Sequence, residues 1–532
     1  MNYGTQKNMA LTGEPPVQLN KTQKLGTLTG LTGLFILLLA TFNVQFPERT
    51  FWLSGSLVLL SAGILIFSIA AYKDKTAGIK NDGVWFKSLT SRGYLAWCLG
   101  IFLTLFYIVL YFYPSLLGLR ENGVNTGLIG FFDPLSKFLS GNPASQWFVY
   151  GVLYTLAILT FGIKFILKYR HNRYEMIRTI SVMFFQTCFA FIIPELMARL
   201  NSPDFSLPYY DLKNIWPLNY YNFDQYRIDS FISSGDIGLA LLIFGIISIL
   251  IITPVLTYFY GKRWYCSWVC GCGGLAETIG DPFRQLSDKS MFAWKVERWV
   301  IHSVLVFVVL TTTATIYSYL SYDAQKYWLN KDVFLIGTGV TLTLLFLLIW
   351  IYKREELRKD ARYGALAYLS IMIGLILIHY LSGMNVFIFD AGTLRTWYGF
   401  MIGSIFSGVI GTGFYPIFGS RVWCRFGCPM AAILGLQQRL FSRFRITTNG
   451  GQCISCGNCS VYCEMGIDVR SYAQKGENIL RASCVGCGIC SAVCPRGVLK
   501  LENTKKSDQR IDPDAVLTGN NPDLLDLLKK NQ

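Results

Sequence analysis

The sequence predicts a mostly α, polytopic membrane helical bundle of about ten transmembrane helices, followed by a small C-terminal α+β domain. Three observations carry this. First, charged residues make up 15% of the chain against 52% hydrophobic, whereas soluble domains carry about 25% charged residues. Mean hydropathy is +0.39. Second, the apolar residues come in blocks of roughly twenty, the length that crosses about 30 Å of hydrocarbon. Third, no block after Phe444 is apolar enough to span, and eight of the 15 cysteines crowd between Cys453 and Cys494.

Residues 1–24 are polar and read as a cytoplasmic N-terminal tail, with no cleavable leader apparent. Apolar segments follow at 25–46, 51–72, 94–113, 147–167 and 179–198, so 25–236 forms a first membrane part with its outer loops. A second membrane part, 237–444, holds segments 237–260, 299–320, 333–352, 364–382 and 398–417. The connections at 73–92, 168–178, 261–298 and 353–363 are rich in Lys and Arg, and they alternate with poorer ones. By the positive-inside rule the basic loops face the cytoplasm, and ten crossings leave both termini there. The long connections Pro114–Gln146 and Arg199–Asp236 are then external, and the tyrosines of the second suit the headgroup level or a docking surface. The net charge of +16 is absorbed by these loops. No recognition module accompanies it, so nucleic acid is not an expected partner. Residues 445–502 form the soluble domain and 503–532 a polar tail.

Within 445–502, Cys453, Cys456, Cys459 and Cys463 are spaced C-x2-C-x2-C-x3-C. Cys484, Cys487, Cys490 and Cys494 repeat the spacing, followed by Pro495. This is the signature of a two-cluster bacterial ferredoxin, in which three thiolates wrap one cubane and the fourth ligates the other. The expected ligand sets are Cys453, Cys456, Cys459 and Cys494 for one [4Fe–4S] cluster, and Cys484, Cys487, Cys490 and Cys463 for the second. Gly457, Gly486 and Gly488 suit the tight loops. Zinc favours paired CxxC halves with histidine, and disulfides do not suit a cytoplasmic face. Glu464 replaces the proline usual after the fourth cysteine.

Two further stretches, "GKRWYCSWVCGCGG" and "GSRVWCRFGCPM", align as Gly261 with Gly419, Arg263 with Arg421, Cys266 with Cys424 and Cys270 with Cys428. Each follows a membrane segment, so the pattern reads as an internal repeat. Residues four apart on a helix share a face, so Cys266, Cys270, Cys424 and Cys428 could offer four soft ligands at the membrane edge, for an additional iron–sulfur centre or another thiophilic metal. Free thiols packed for burial alone are the alternative. Cys272 has no counterpart in the second stretch, and Arg263 and Arg421 are either charge partners of thiolates or topological anchors. Cys98 and Cys188 lie inside apolar segments and read as buried structural thiols. His302 and His379 lie at depths too different to share a haem iron. Glu195 is a candidate intramembrane acid.

Together, "CRFGCP", the two C-x3-C stretches and the two ferredoxin runs resemble membrane polyferredoxins of the NapH, NosR and CcoG type, over roughly Ile237–Glu502. The resemblance implies a bacterial inner-membrane electron carrier between the quinone pool or a cytoplasmic donor or acceptor protein and a membrane or periplasmic redox partner. It also implies an alternative as a copper reductase or assembly factor for a respiratory enzyme. A redox-sensing regulator is a third class. The chain departs from the pattern in ending its first motif "CGCGG" and in placing five helices before the matched core.

Overall fold

The computed structural model describes residues 19–73, 89–120, 124–202, 206–323, 325–357, 359–382, 390–450 and 452–504. The expected polar tails, apart from 19–24 and 503–504, and the basic residues Lys75, Lys80, Lys87 and Arg358 lie outside them.

Among the described residues, nine helices are long and apolar enough to cross a membrane. They are Lys21–Thr41, Arg49–Tyr72, Tyr94–Phe112, Gln146–Lys168, Arg173–Arg199, Gly235–Tyr260, Met291–Tyr322, Lys331–Lys353 and Ala361–Ser382. The tenth expected segment, 398–417, takes another form: helix Ala391–Tyr398 widens into a π-helical stretch, Gly399–Ile410, and then breaks. Its glycines, Gly399, Gly403, Gly408, Gly411 and Gly413, weaken a regular helix there. The count of long regular helices is therefore one short of the ten read from hydropathy.

Local chemistry explains the ends and bends. Lys21–Thr41 starts with a capping box, Asn20 accepting from the Gln23 amide while Gln23 accepts from that of Asn20. It packs closely on Arg49–Tyr72 because glycines face each other; a Cβ on Gly63 would lie 2.3 Å from the Gly30 nitrogen. Arg173–Arg199 and Gly235–Tyr260 contain π-helical turns, Phe185–Ile192 and Ser248–Ile252, just before Pro194 and Pro254. A proline ring crowds the carbonyl four residues back, and wider turns relieve it.

The connection after Arg199 does not simply lie along the interface. Ile215 and Leu218 pack against the cysteine-rich core. The Lys213 carbonyl accepts from Tyr265 Oη at 2.9 Å, and Trp216 donates to Thr312 at 3.1 Å. Lys213 is buried and donates to Gln186 at 2.9 Å, on the π-helical stretch. The loop thus folds inward from the end of one helix to reach the first cysteine motif, while Tyr209 and Tyr226 stay exposed.

The C-terminal part is closed by a two-stranded antiparallel sheet, β1 (Phe444–Thr448) and β2 (Leu499–Asn503), with Phe444 opposite Asn503 and Thr448 opposite Leu499. Between the strands sit the short helices Asn458–Val461, Val469–Lys475 and Ile489–Ala492. Its core is continuous with that around the C-x3-C cysteines, so this domain is docked on the membrane part.

Candidate cysteine centres

The strand pair brings the two ends of the domain together, and this places Cys494 beside the first cysteine run. One cavity is lined by Cys453, Cys456, Cys459 and Cys494, with Ile454, Ala473, Pro495, Val498 and Leu499 among its walls. A second is lined by Cys463, Cys484, Cys487 and Cys490, with Ile446, Tyr462, Glu464 and Val485. Each cavity combines three cysteines of one run with the fourth of the other. Gly457, Gly486 and Gly488 all have positive φ, of 81°, 63° and 93°, so the tight loops need glycine there. Backbone amides point at sulfur: Ser455 at 3.4 Å from Cys453 Sγ and Ile467 at 3.4 Å from Cys463 Sγ.

Four soft donors around a mostly apolar hollow fit an iron–sulfur cluster. Among the described residues no three His, Cys, Asp or Glu side chains converge closely enough to hold a single metal ion. In each cavity the four cysteines line a hollow together with apolar neighbours. Burial pushes the Cys484 thiol up to about 11 and the Cys459 thiol up to about 12. A bound cation reverses that cost by holding the sulfur as thiolate.

Cys266, Cys270, Cys424 and Cys428 are all buried in one apolar cluster, with Cys272 packed against it. The two motifs, more than 150 residues apart, therefore meet. Burial pushes the Cys266 thiol up to about 12 and raises those of Cys424 and Cys428. Cys270 moves the other way, to about 6, chiefly because Cys272 hydrogen-bonds to it. The departure "CGCGG" has a steric reason. A Cβ on Gly271 would come within 2.7 Å of Lys213 Nζ, one on Gly273 within 3.0 Å of Arg421 Nη1, and one on Gly274 within 2.1 Å of Val182.

The second cavity is fastened to this platform. Ser267 donates to the Val485 carbonyl at 2.9 Å, and Tyr174 to that of Gly486 at 2.8 Å. Gln438 accepts from the Lys262 amide and donates to the carbonyls of Arg481 and Cys484. Beneath it lies a buried charge network. Arg284 donates to Asp281 at 2.8 Å and to Glu464 at 2.7 Å; Lys168 donates to Asp281 at 2.6 Å. Arg178 and Arg421 both pair with Glu277, and Arg178 also with Glu175. Burial opposes ionisation of Asp281, yet Lys168 and Arg284 outweigh it and hold its carboxyl near 2. Sequence reading missed this network, because its members are scattered from Lys168 to Glu464 and each alone passes for a loop charge.

Of the other residues singled out, Arg263 lies over the Phe444 ring at 4.4 Å from its centroid, whereas Arg421 donates to Cys424 Sγ at 3.6 Å. Their roles differ although their places in the repeat match. Glu195 is buried and accepts from Tyr209 at 3.2 Å. His302 and His379 have separate partners, the Arg298 carbonyl and Tyr317.

Comparison with known proteins agrees with this geometry. A family model described as a 4Fe-4S binding domain matches over 242–290 and again over 398–447, one match on each C-x3-C stretch. A 4Fe-4S dicluster domain matches over 452–499. The chain is an iron–sulfur protein. It is also 24% identical over 213 residues to YccM of Escherichia coli strain K12, a protein assigned by name to electron transport. That match spans 40% of this chain and 44% of the relative's length. No solved structure matches it.

Proposed function

We propose that this chain conducts single electrons between a soluble partner and a membrane-embedded acceptor or donor, through two [4Fe–4S] clusters and a third, thiolate-bound centre at the membrane edge. Cys453, Cys456, Cys459 and Cys494 would hold the first cluster, and Cys463, Cys484, Cys487 and Cys490 the second. Cys266, Cys270, Cys424 and Cys428 would hold the third centre. An iron–sulfur cluster supplies one-electron chemistry at a potential set by hydrogen bonds to sulfur, charge and exposure. The observation that carries the reading is the order of the sites. The first cavity has the exposed Cys456 and Ile454 at its mouth, and the second is pinned through Ser267 and Gln438 to the C-x3-C platform. The likeness to YccM supports electron transport as the task.

The same geometry supports the topology. Both C-x3-C motifs meet, so the chain between them returns to the face it left. Among the described residues four helical passages lie between them: three long helices and the 20-residue Ala391–Ile410 stretch, whose second part is the wider π-helix. With the basic loops inside, the C-terminal domain and both termini lie on the cytoplasmic side of a bacterial inner membrane. A soluble cytoplasmic protein would exchange electrons at the first cluster, and a quinone or a membrane or periplasmic partner would exchange them from the third centre. Copper reduction in oxidase assembly is the competing task for the same route.

Iron quantitation with EPR on anaerobically purified protein tests this. Wild type is expected to show a third signal, which Cys424→Ser abolishes while both cubane signals persist. Unchanged iron and spectra in Cys424→Ser would remove the third centre. Re-oxidation of added quinol against reduction of added Cu(II) separates the two tasks.

A further inference from the structure

Glu464 immediately follows Cys463 and lines the second cavity. It is fully buried, with Arg284 Nη1 at 2.7 Å and Arg421 Nε at 3.0 Å. Arg421 is equally buried and extends the other way: its Nη1 lies 3.6 Å from Cys424 Sγ and 3.2 Å from the Cys266 carbonyl. One carboxylate and one guanidinium thus span the gap between a cysteine of the second cavity and a cysteine of the C-x3-C set. The first cavity has no acid in its lining.

We propose that the Glu464–Arg421 pair is an electrostatic bridge that couples the second cluster to the membrane-edge thiolate centre, each feeling the charge of the other. This rests on the reading that the C-x3-C cysteines hold a redox centre. Both side chains are buried, so their charges act at low effective dielectric, where Coulomb terms over a few ångströms are several-fold larger than in solvent. Arg284 holds Glu464 on its other side, so the carboxylate stays in place when charge on either centre changes. The signs follow. The positive Arg421 favours the reduced, more negative form of both neighbours. The negative Glu464 opposes it, most strongly at the second cluster. Glu464 and Arg421 are positioning residues, not ligands, and they act on potentials. A proline at 464, the usual residue after the fourth cysteine, could make no such contact.

The experiment is an EPR-monitored redox titration of the full-length protein in detergent, with iron per chain measured alongside. Glu464→Gln should move the midpoint of the second cluster upward and leave the first unmoved. Arg421→Gln should move both the second cluster and the third centre downward, and Arg421→Lys should return both toward wild type. A third signal present but unmoved in all three variants overturns the bridge, as does an equal shift of all centres, which would mark a general structural effect. If Arg421→Gln fails to load iron, Glu464→Gln decides: an unmoved second cluster overturns the proposal. Absence of any third signal in wild type overturns the underlying reading, and the bridge with it.

Discussion

At the scale of single residues, buried charge organises the junction between the two parts. Asp281 is held near 2 by Lys168 and Arg284 against the pull of burial. A carboxyl depressed below its unfolded value of about 3.9 contributes stability at pH above that value and loses it as pH falls toward 2. Asp281→Asn removes one partner of a buried pair and should cost about 3–5 kcal/mol. The difference in thermal unfolding between wild type and this variant should be full at pH 6 and shrink between pH 4 and pH 2. A difference that does not change with pH would show that Asp281 acts by packing alone. Gly274 is the steric counterpart. Its missing side chain admits Val182, and Gly274→Ala should overpack the site by about 1–3 kcal/mol, read as a lower melting temperature with reduced iron content.

Among the elements, helices are bent where chemistry needs room. The π-helical stretch at Phe185–Ile192 presents Gln186 to Lys213 and Thr155, and that contact anchors the inward loop beside Gly271. π-helical turns are found most often at functional sites. Straightening this one by deleting a single residue within 187–190 should detach Lys213 and loosen the loop, measured as faster hydrogen exchange over 206–222. The first two helices show the opposite design. Gly26, Gly30 and Gly33 meet Ser56 and Gly63 so closely that the backbones nearly touch. Gly63→Ala would meet backbone, not a movable side chain, so it should separate the pair and destabilise the protein more than Gly271→Ala, whose nearest neighbours are the ends of Gln186 and Lys213.

Across the whole molecule, the docking of the C-terminal domain decides whether two sets of cysteines form one route. Ser267, Tyr174 and Gln438 hold the loop at 484–487 against the membrane part. The double variant Ser267→Ala, Gln438→Leu removes hydrogen bonds worth about 0.5–1.5 kcal/mol each. It should leave the iron content per chain unchanged while making 445–504 more open to limited proteolysis. Intact docking with slowed electron passage would point instead to the charges beneath. At this scale the chain is neither a ferredoxin with an anchor nor a transporter with an appendage, because one apolar core runs through both parts.

Much of this was legible from local signals. Twenty-residue apolar blocks announce spans, and C-x2-C-x2-C-x3-C announces cluster loops, because lipid thickness and cubane geometry impose those lengths directly on the chain. Spacing leads one to expect Cys494 with the first run and Cys463 with the second; in the structure Cys494 lines one cavity with Cys453, Cys456 and Cys459, and Cys463 lines the other with Cys484, Cys487 and Cys490. The repeat of Cys266–Cys270 in Cys424–Cys428 was likewise written in the sequence. What it left open was which charges are anchors and which are partners, whether the long connection lies on the surface or turns inward, and why Glu464 stands where proline is usual. Those depend on contacts across many residues, such as Arg421 to Glu464 and Tyr265 to Lys213. Burial turns an ordinary loop charge into half of an ion pair, and only the packed tertiary structure determines which charges are buried together.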